Sequence, residues 1–139
     1  MLTVSELMTV DPDTARVETK LLDVINIMKV GGCRQLPVVD SMGRVVGIIT
    51  DRDVRLAMNS PMVMRERWQD EELLNTVTAD SCMTANPITV EPSTPAYRAA
   101  EILSAYKFGA LPVVEQGILV GIITVTDFLD RFAAGQPTT

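Results

Sequence analysis

The sequence predicts an α/β (α+β) fold: tandem βαββα repeats with pseudo-two-fold symmetry, forming one compact module. The leading observation is an internal repeat. A displacement of 75 residues lays Met8-Thr9 on Met83-Thr84, Pro12 and Thr14 on Pro87 and Thr89, and Leu36-Pro37-Val38-Val39 on Leu111-Pro112-Val113-Val114. With one residue dropped from the second copy, Gly43 meets Gly117, and Gly47-Ile48-Ile49-Thr50-x-x-Asp53 meets Gly121-Ile122-Ile123-Thr124-x-x-Asp127. Between Met8 and Asp53 the two copies share 17 identities. Two copies are too few for a solenoid and suit a pair packed face to face. The other observation is periodicity, since each copy reads strand, helix, strand, strand, helix in the same order.

The elements follow from local pattern. Thr3-Val4-Ser5-Glu6 has the form of a capping box opening one helical turn. Leu21, Val24, Ile25 and Met28 share one helical face, and Ala96, Ala99, Ala100 and Leu103 hold the equivalent places with smaller side chains. Thr19 and Thr94 stand where N-caps belong, and Pro95 suits a first helical position. Leu36 to Val39 and Arg44 to Thr50, joined by Asp40-Ser41-Met42-Gly43, predict a hairpin; the second copy shortens the connection to Glu115-Gln116-Gly117. A further helix is expected to start near Thr50 and near Thr124. Ser60-Pro61 reads as a cap and first residue of a linker helix over Met62 to Leu74, docked by Met64 and Trp68, with Arg67 and Glu71 paired across a turn. The lone Trp is otherwise a partner surface. The expected divisions are a first repeat over 1–58, a helical linker over 59–79, a second repeat over 80–133 and a flexible tail over 134–139.

Composition narrows the function. Hydrophobic residues at 47% with 22% charged are those of an ordinary globular chain. A net charge of −6 and a pI near 4.6 argue against nucleic acid as a partner, because phosphate-backbone binders cluster Lys and Arg. The start lacks a basic, apolar leader, and no stretch approaches the roughly 20 apolar residues of a membrane span. Cys33 and Cys82 occupy unmatched places in the repeats, which points to free thiols in a reducing cytoplasm rather than a disulfide frame.

Most catalytic arrangements are excluded by residue type. The chain has no histidine, so neither a Ser-His-Asp nor a Cys-His arrangement can form, and two scattered cysteines make no conventional zinc site. Phosphate-loop and dinucleotide glycine signatures are missing. An enzyme is therefore not expected, nor a metal or a resident cofactor. What remains is the duplicated Gly-Ile-Ile-Thr-x-x-Asp. One reading is structural: Thr50 with Asp53, and Thr124 with Asp127, are capping boxes, and the glycines let the strand pass close to a neighbouring helix. The other is functional. A helix N-terminus favours phosphate, a threonine hydroxyl can donate to it, and a carboxylate one turn on can accept from ribose hydroxyls.

On these motifs the chain from about Val4 to Phe132 resembles a stand-alone pair of CBS domains, the Bateman module of bacterial and archaeal type. The resemblance rests on Met-Thr-x-x-Pro at Met8 and Met83, Leu-Pro-Val-Val at Leu36 and Leu111, and the two Gly-Ile-Ile-Thr-x-x-Asp runs. It implies clefts between the repeats that bind adenosine-containing ligands such as AMP, ADP or ATP, and a homodimer. By position, one cleft takes Thr124, Thr126 and Asp127 on the phosphate and ribose side with Ile122 beside the base, facing Thr14, Cys33 and Arg34. The other takes Ile48, Thr50, Arg52 and Asp53, facing Thr89, Phe108 and Gly109. Arg34 and Arg52 are phosphate candidates because a guanidinium fork matches phosphate oxygens; the plain alternative is a solvated surface arginine.

The copies are not chemically equal. Asp13 stands where the second copy has Ile88, Arg34 where it has Gly109, and Asp51-Arg52 where it has Val125-Thr126. Clefts of unequal affinity are expected. The implied role is a cytoplasmic sensor whose ligand shifts a conformation read by an unidentified protein target. The rival from another class is a ligand-free interaction or dimerisation module, in which the Thr-x-x-Asp runs are only caps. A small ATP-using enzyme is a weaker third, since no base, nucleophile or metal cluster is visible.

Overall fold

The computed structural model describes residues 1–58 and 67–135. In chain order its elements begin with α1 (Val4–Leu7), β1 (Thr9–Val10), β2 (Ala15–Arg16), α2 (Leu21–Gly31), β3 (Gln35–Val39), β4 (Val45–Thr50) and α3 (Asp51–Met58). They continue with α4 (Arg67–Thr76), α5 (Ala79–Cys82), β5 (Thr84–Ala85), α6 (Ala96–Tyr106), β6 (Ala110–Glu115), β7 (Ile118–Thr124) and α7 (Val125–Ala134). The mixed α/β architecture matches the sequence expectation. Packing divides the chain into two compact units, Asp13–Pro87 and Met1–Pro12 with Ile88–Thr139.

The first-repeat unit, Asp13–Pro87, carries a four-stranded sheet ordered β2-β3-β4-β5. Strand β2 runs parallel to β3, while β3–β4 and β4–β5 are antiparallel. The apolar face of α2 buries Leu21, Val24 and Met28 against Leu36, Val38 and Ile49. Each such side chain contributes about 1.5–3 kcal/mol when fully buried. Helix α4 packs on α2, with Leu74 partly buried against the same core. The expected linker helix is present from Arg67; Ser60, Pro61 and Met64 lie outside the described residues, as do the side-chain roles expected of Arg67 and Trp68.

The second-repeat unit, Met1–Pro12 with Ile88–Thr139, has a three-stranded sheet ordered β1-β7-β6. Val90 adds a single parallel bridge to Val113, where the first repeat has strand β2. Val4, Ala99, Leu111, Val113 and Ile123 form its core. Residues 1–12 therefore pack with the second repeat, and α5 and β5, which open the second repeat in sequence, pack with the first.

This exchange explains two local departures from the sequence expectation. Thr19 and Thr94 are not N-caps. Their Oγ1 atoms accept from Arg16 N at 2.8 Å and Glu91 N at 3.0 Å, closing turns ahead of the helices. The N-cap positions belong to Lys20 and Pro95, neither with a side-chain cap. No cap is needed, because lead-in carbonyls accept from the first helical N–H groups: Leu21 N donates to Val77 O at 2.9 Å, and Ala96 N to Leu2 O at 2.9 Å.

The repeated glycines are likewise explained by strands rather than helices. Gly47 lies opposite Ala85 and Gly121 opposite Val10. A Cβ on Gly47 would sit 2.9 Å from Met83 Cγ and 3.1 Å from Thr84 O. One on Gly121 would sit 2.7 Å from Met8 Sδ and 2.9 Å from Thr9 O. The duplicated Met-Thr and the duplicated glycine are thus two sides of one contact.

Candidate functional site

Each Gly-Ile-Ile-Thr-x-x-Asp run spans a strand-to-helix junction with no intervening loop, β4 into α3 and β7 into α7. The capping geometry is complete in both. Thr50 N donates to Asp53 Oδ2 at 2.9 Å, and Asp53 N donates to Thr50 Oγ1 at 3.1 Å. The second junction repeats this, with Thr124 N to Asp127 Oδ2 at 2.8 Å and Asp127 N to Thr124 Oγ1 at 3.2 Å. All four residues are half-buried.

Capping does not exhaust these groups. Each threonine hydroxyl is used as an acceptor, so its own proton remains to be donated. Each carboxylate uses Oδ2 in the box, and no hydrogen bond among the described residues engages Oδ1. The junctions also draw in the strand-entry segments. Asp51 N donates to Arg34 O at 2.8 Å and Val125 N to Gly109 O at 3.0 Å. What the cap leaves without a partner is a hydroxyl proton and a carboxylate oxygen beside a positive helix end, a set suited to a sugar and an anion.

The candidates fall into two groups. Thr14, Cys33, Arg34, Ile48, Thr50, Arg52 and Asp53 belong to the first-repeat unit. Thr89, Phe108, Gly109, Ile122, Thr124, Thr126 and Asp127 belong to the second. Within the first group Gln35 pairs with Thr50, which sets Arg34 at the start of α3; Arg34 and Arg52 are exposed. Ile48 lies between Pro37 and Thr84 in the sheet and is half-buried. Thr14 is half-buried ahead of β2.

The second group differs in character. Ile122, between Pro112 and Thr9, is 7% exposed. Phe108 is exposed and stacks on Tyr106 with ring centroids 5.2 Å apart and planes at 14°. The chain reaches it through Lys107, which has a left-handed φ of 60° where the first repeat has Gly32 at 65°. Thr89 is half-buried, while Gly109 and Thr126 are exposed.

One residue beside the first group, Cys82, was not among the expected site residues. Both cysteines are free and half-buried. Burial pushes the Cys33 thiol up, and the Asp13 carboxylate adds to this. Burial likewise raises Cys82, followed by Asp53 and Asp80. So α5 brings Cys82 close to Asp53, and Asp13 lies close to Cys33. The signal for Cys82 was in the repeat: Ala79–Cys82 is the counterpart of Val4–Leu7, one residue ahead of the shared Met-Thr.

Comparison with known proteins agrees with this geometry. The CBS domain family matches residues 4–60 and 79–134. A CBS domain-containing protein of Dictyostelium discoideum is 36% identical over 128 residues, covering 91% of this chain and 88% of that protein. The inosine-5'-monophosphate dehydrogenase of Korarchaeum cryptofilum is 33% identical over 92% of this chain, which spans only 23% of that enzyme. Among solved structures, the CBS domain pair of protein MJ0100 in complex with 5'-methylthioadenosine and S-adenosyl-L-methionine superposes with a TM-score of 0.83 at 26% identity, covering 98% of this chain and 99% of that one. CBSX2 in complex with AMP gives a TM-score of 0.83 at 26% identity, covering 99% and 100%. With its two matched halves and its two capped strand-to-helix junctions, this chain belongs to the CBS domain family as a CBS-domain pair.

Proposed function

We propose that this CBS-domain pair is a regulatory module that binds an adenosine-containing ligand, AMP, ADP, ATP or a related adenosine compound, rather than an enzyme. The observation that carries the reading is the duplicated Thr-x-x-Asp junction, whose hydroxyl proton and carboxylate Oδ1 stay available after the cap is made. Asp53 and Asp127 accept from ribose hydroxyls, and Thr50, Thr124 and the helix N-termini bind phosphate, with Arg34 and Arg52 assisting in the first-repeat group. Ile48 and Ile122 lie beside the base. The neighbouring structures support the ligand class, since those CBS pairs hold AMP, 5'-methylthioadenosine and S-adenosyl-L-methionine.

Ligand occupancy shifts the population of one conformation, and a protein target reads that state. We further propose a homodimer working in the cytoplasm without a resident cofactor. No helix among the described residues is long and apolar enough to cross a membrane. The test is a thermal-shift series with AMP, ADP, ATP and S-adenosylmethionine, followed by calorimetry. A ligand of the native state raises the midpoint by mass action. No shift with any of them removes the nucleotide reading.

One observation favours a second reading, a protein-interaction module. Val125, Leu129 and Phe132 are exposed on α7 at 40%, 62% and 71%, more apolar surface than one helix usually leaves to water. Light scattering that shows a dimer with no nucleotide response supports this rival.

A further inference from the structure

We infer that Asp13, together with Asn26, is a specificity-determining residue of the first-repeat unit that reads the 6-amino edge of the ligand's base, taking adenine and rejecting a 6-oxo purine. This rests on the nucleotide reading above and deepens it from a ligand class to a base-selecting contact. Thr14 and Cys33, both assigned to the ligand, bracket the place. Asp13 precedes Thr14 in the chain, and its carboxylate lies close enough to Cys33 to help push that thiol up.

Asp13 lies over the end of α2. Its Oδ2 occupies the space that a Cβ on Gly31 would need, so a larger residue at 31 displaces the carboxylate. There Asp13 lines a concavity of about 330 Å3 with Asn26, Ile27, Val30 and Gly31, at the lower end of small-molecule sites. Among the described residues the side chains of Asp13 and Asn26 make no hydrogen bond or ion pair. Gly31 is the last residue of α2, where the helix dipole is negative. A carboxylate held there without a cation is short of donors. It attracts N–H groups and repels a carbonyl or phosphate oxygen.

The complement of this pair is the edge of adenine. Its exocyclic amine donates to a carboxylate, and the ring nitrogen beside it accepts from an amide N–H such as that of Asn26. Ile27 and Val30 offer aliphatic surface to a flat ring. Hypoxanthine carries an oxygen in place of the amine, and that oxygen would meet Asp13. A site built to pair with one donor discriminates strongly against a ligand that lacks it. The second repeat has no such arrangement: Ile88, Glu101 and Tyr106 stand at the positions of Asp13, Asn26 and Gly31. The acid and the glycine that makes room for it are replaced together, so this contact belongs to the first repeat alone.

The test is calorimetry on the full chain with AMP, IMP and GMP, using the native protein, Asp13→Ile and Asp13→Asn. Asp13 is exposed, so neither substitution opens the core. In at least one resolved binding event the native chain takes AMP about tenfold or more tighter than IMP, as expected for one charge-assisted hydrogen bond. Asp13→Ile brings the two within about twofold by weakening AMP. Asp13→Asn gains affinity for IMP, because an amide N–H can donate to the 6-oxo group. A residue that only shaped the loop would weaken all three ligands alike. Equal binding of AMP and IMP by the native chain, an AMP-to-IMP ratio unchanged in the folded variants, or a uniform loss overturns this inference and leaves the nucleotide reading standing. GMP bound more tightly than AMP, with that preference lost in Asp13→Ile, assigns guanine to the edge and overturns it as well. A chain that binds neither these three nor the other ligands of the thermal-shift series fails at the nucleotide reading itself, and the role of Asp13 falls with it.

Discussion

Asp127 illustrates how one side chain carries both structure and recognition. Its Oδ2 takes the Thr124 N–H at 2.8 Å, so replacing it by alanine removes half a capping box as well as any ribose contact. Asp127→Asn separates the two roles, because an amide oxygen can still accept from Thr124 N while the charge is gone. Asp127→Asn is expected to lower stability by less than about 1 kcal/mol and to weaken adenine-nucleotide binding by about tenfold; thermal melts and calorimetry on the same sample read both. Equal affinity in the native protein and in Asp53→Asn/Asp127→Asn would take the carboxylates out of the site. The cysteines allow a chemical check. Burial holds both thiols above their ordinary range, so less thiolate is present at neutral pH and alkylation of either is slower than that of a free peptide thiol. The Thr-x-x-Asp spacing was legible because it recurs. The neighbour Cys82 was not, since its approach to Asp53 depends on which segment packs into which unit.

At the scale of elements, the strands and helices were readable wherever polarity alternates with a clean period, and the helix starts were misread. Threonine before a helix signals a cap, yet backbone carbonyls from a segment distant in sequence accept from the first N–H groups instead. No local pattern reports a partner that far away. Helix ends show the opposite case, where local geometry decides. Lys107 ends α6 with a left-handed φ of 60°, a conformation that costs a side-chain-bearing residue about 1 kcal/mol. Lys107→Gly is therefore expected to raise stability by about 0.5–1 kcal/mol, and Gly32→Ala, at φ 65°, to lower it by a similar amount; urea denaturation measures both. The β3–β4 hairpin adds a pH dependence. Backbone hydrogen bonds from Arg44 and Met42, with the Arg44 side chain, hold the Asp40 carboxyl below its ordinary range. A depressed folded-state value means that its contribution is present above about pH 4 and is lost as pH falls through the folded value. Asp40→Asn removes that part of the acid limb of the stability curve.

For the whole molecule, the decisive feature is that sequence repeat and packed unit are not the same set of residues. The repeat alignment could not reveal this, because α1 and β1 resemble α5 and β5 and either pair satisfies the pattern. Packing resolves the ambiguity. Val4 is fully buried in the core of the second-repeat unit beside Ala99, Leu111 and Ile123, and α1 is tied there by Val4 N donating to Thr94 O at 2.9 Å and Ser5 N to Pro92 O at 3.0 Å. Ala79 is its counterpart in the first-repeat unit, fully buried beside Leu21 and Ile49. Val4→Ala leaves a cavity and is expected to cost about 1–3 kcal/mol. The location of that loss is the sharper expectation. Hydrogen exchange should quicken over Ile88 to Ala134, some 80 residues downstream of the mutation, while amides of β2, α2 and β3, which follow Val4 closely in sequence, keep their protection. Loss of protection confined to residues 13–58 would show that the lead segment packs with its own repeat, and the assignment of Met8 to the Gly121 contact would fall with it.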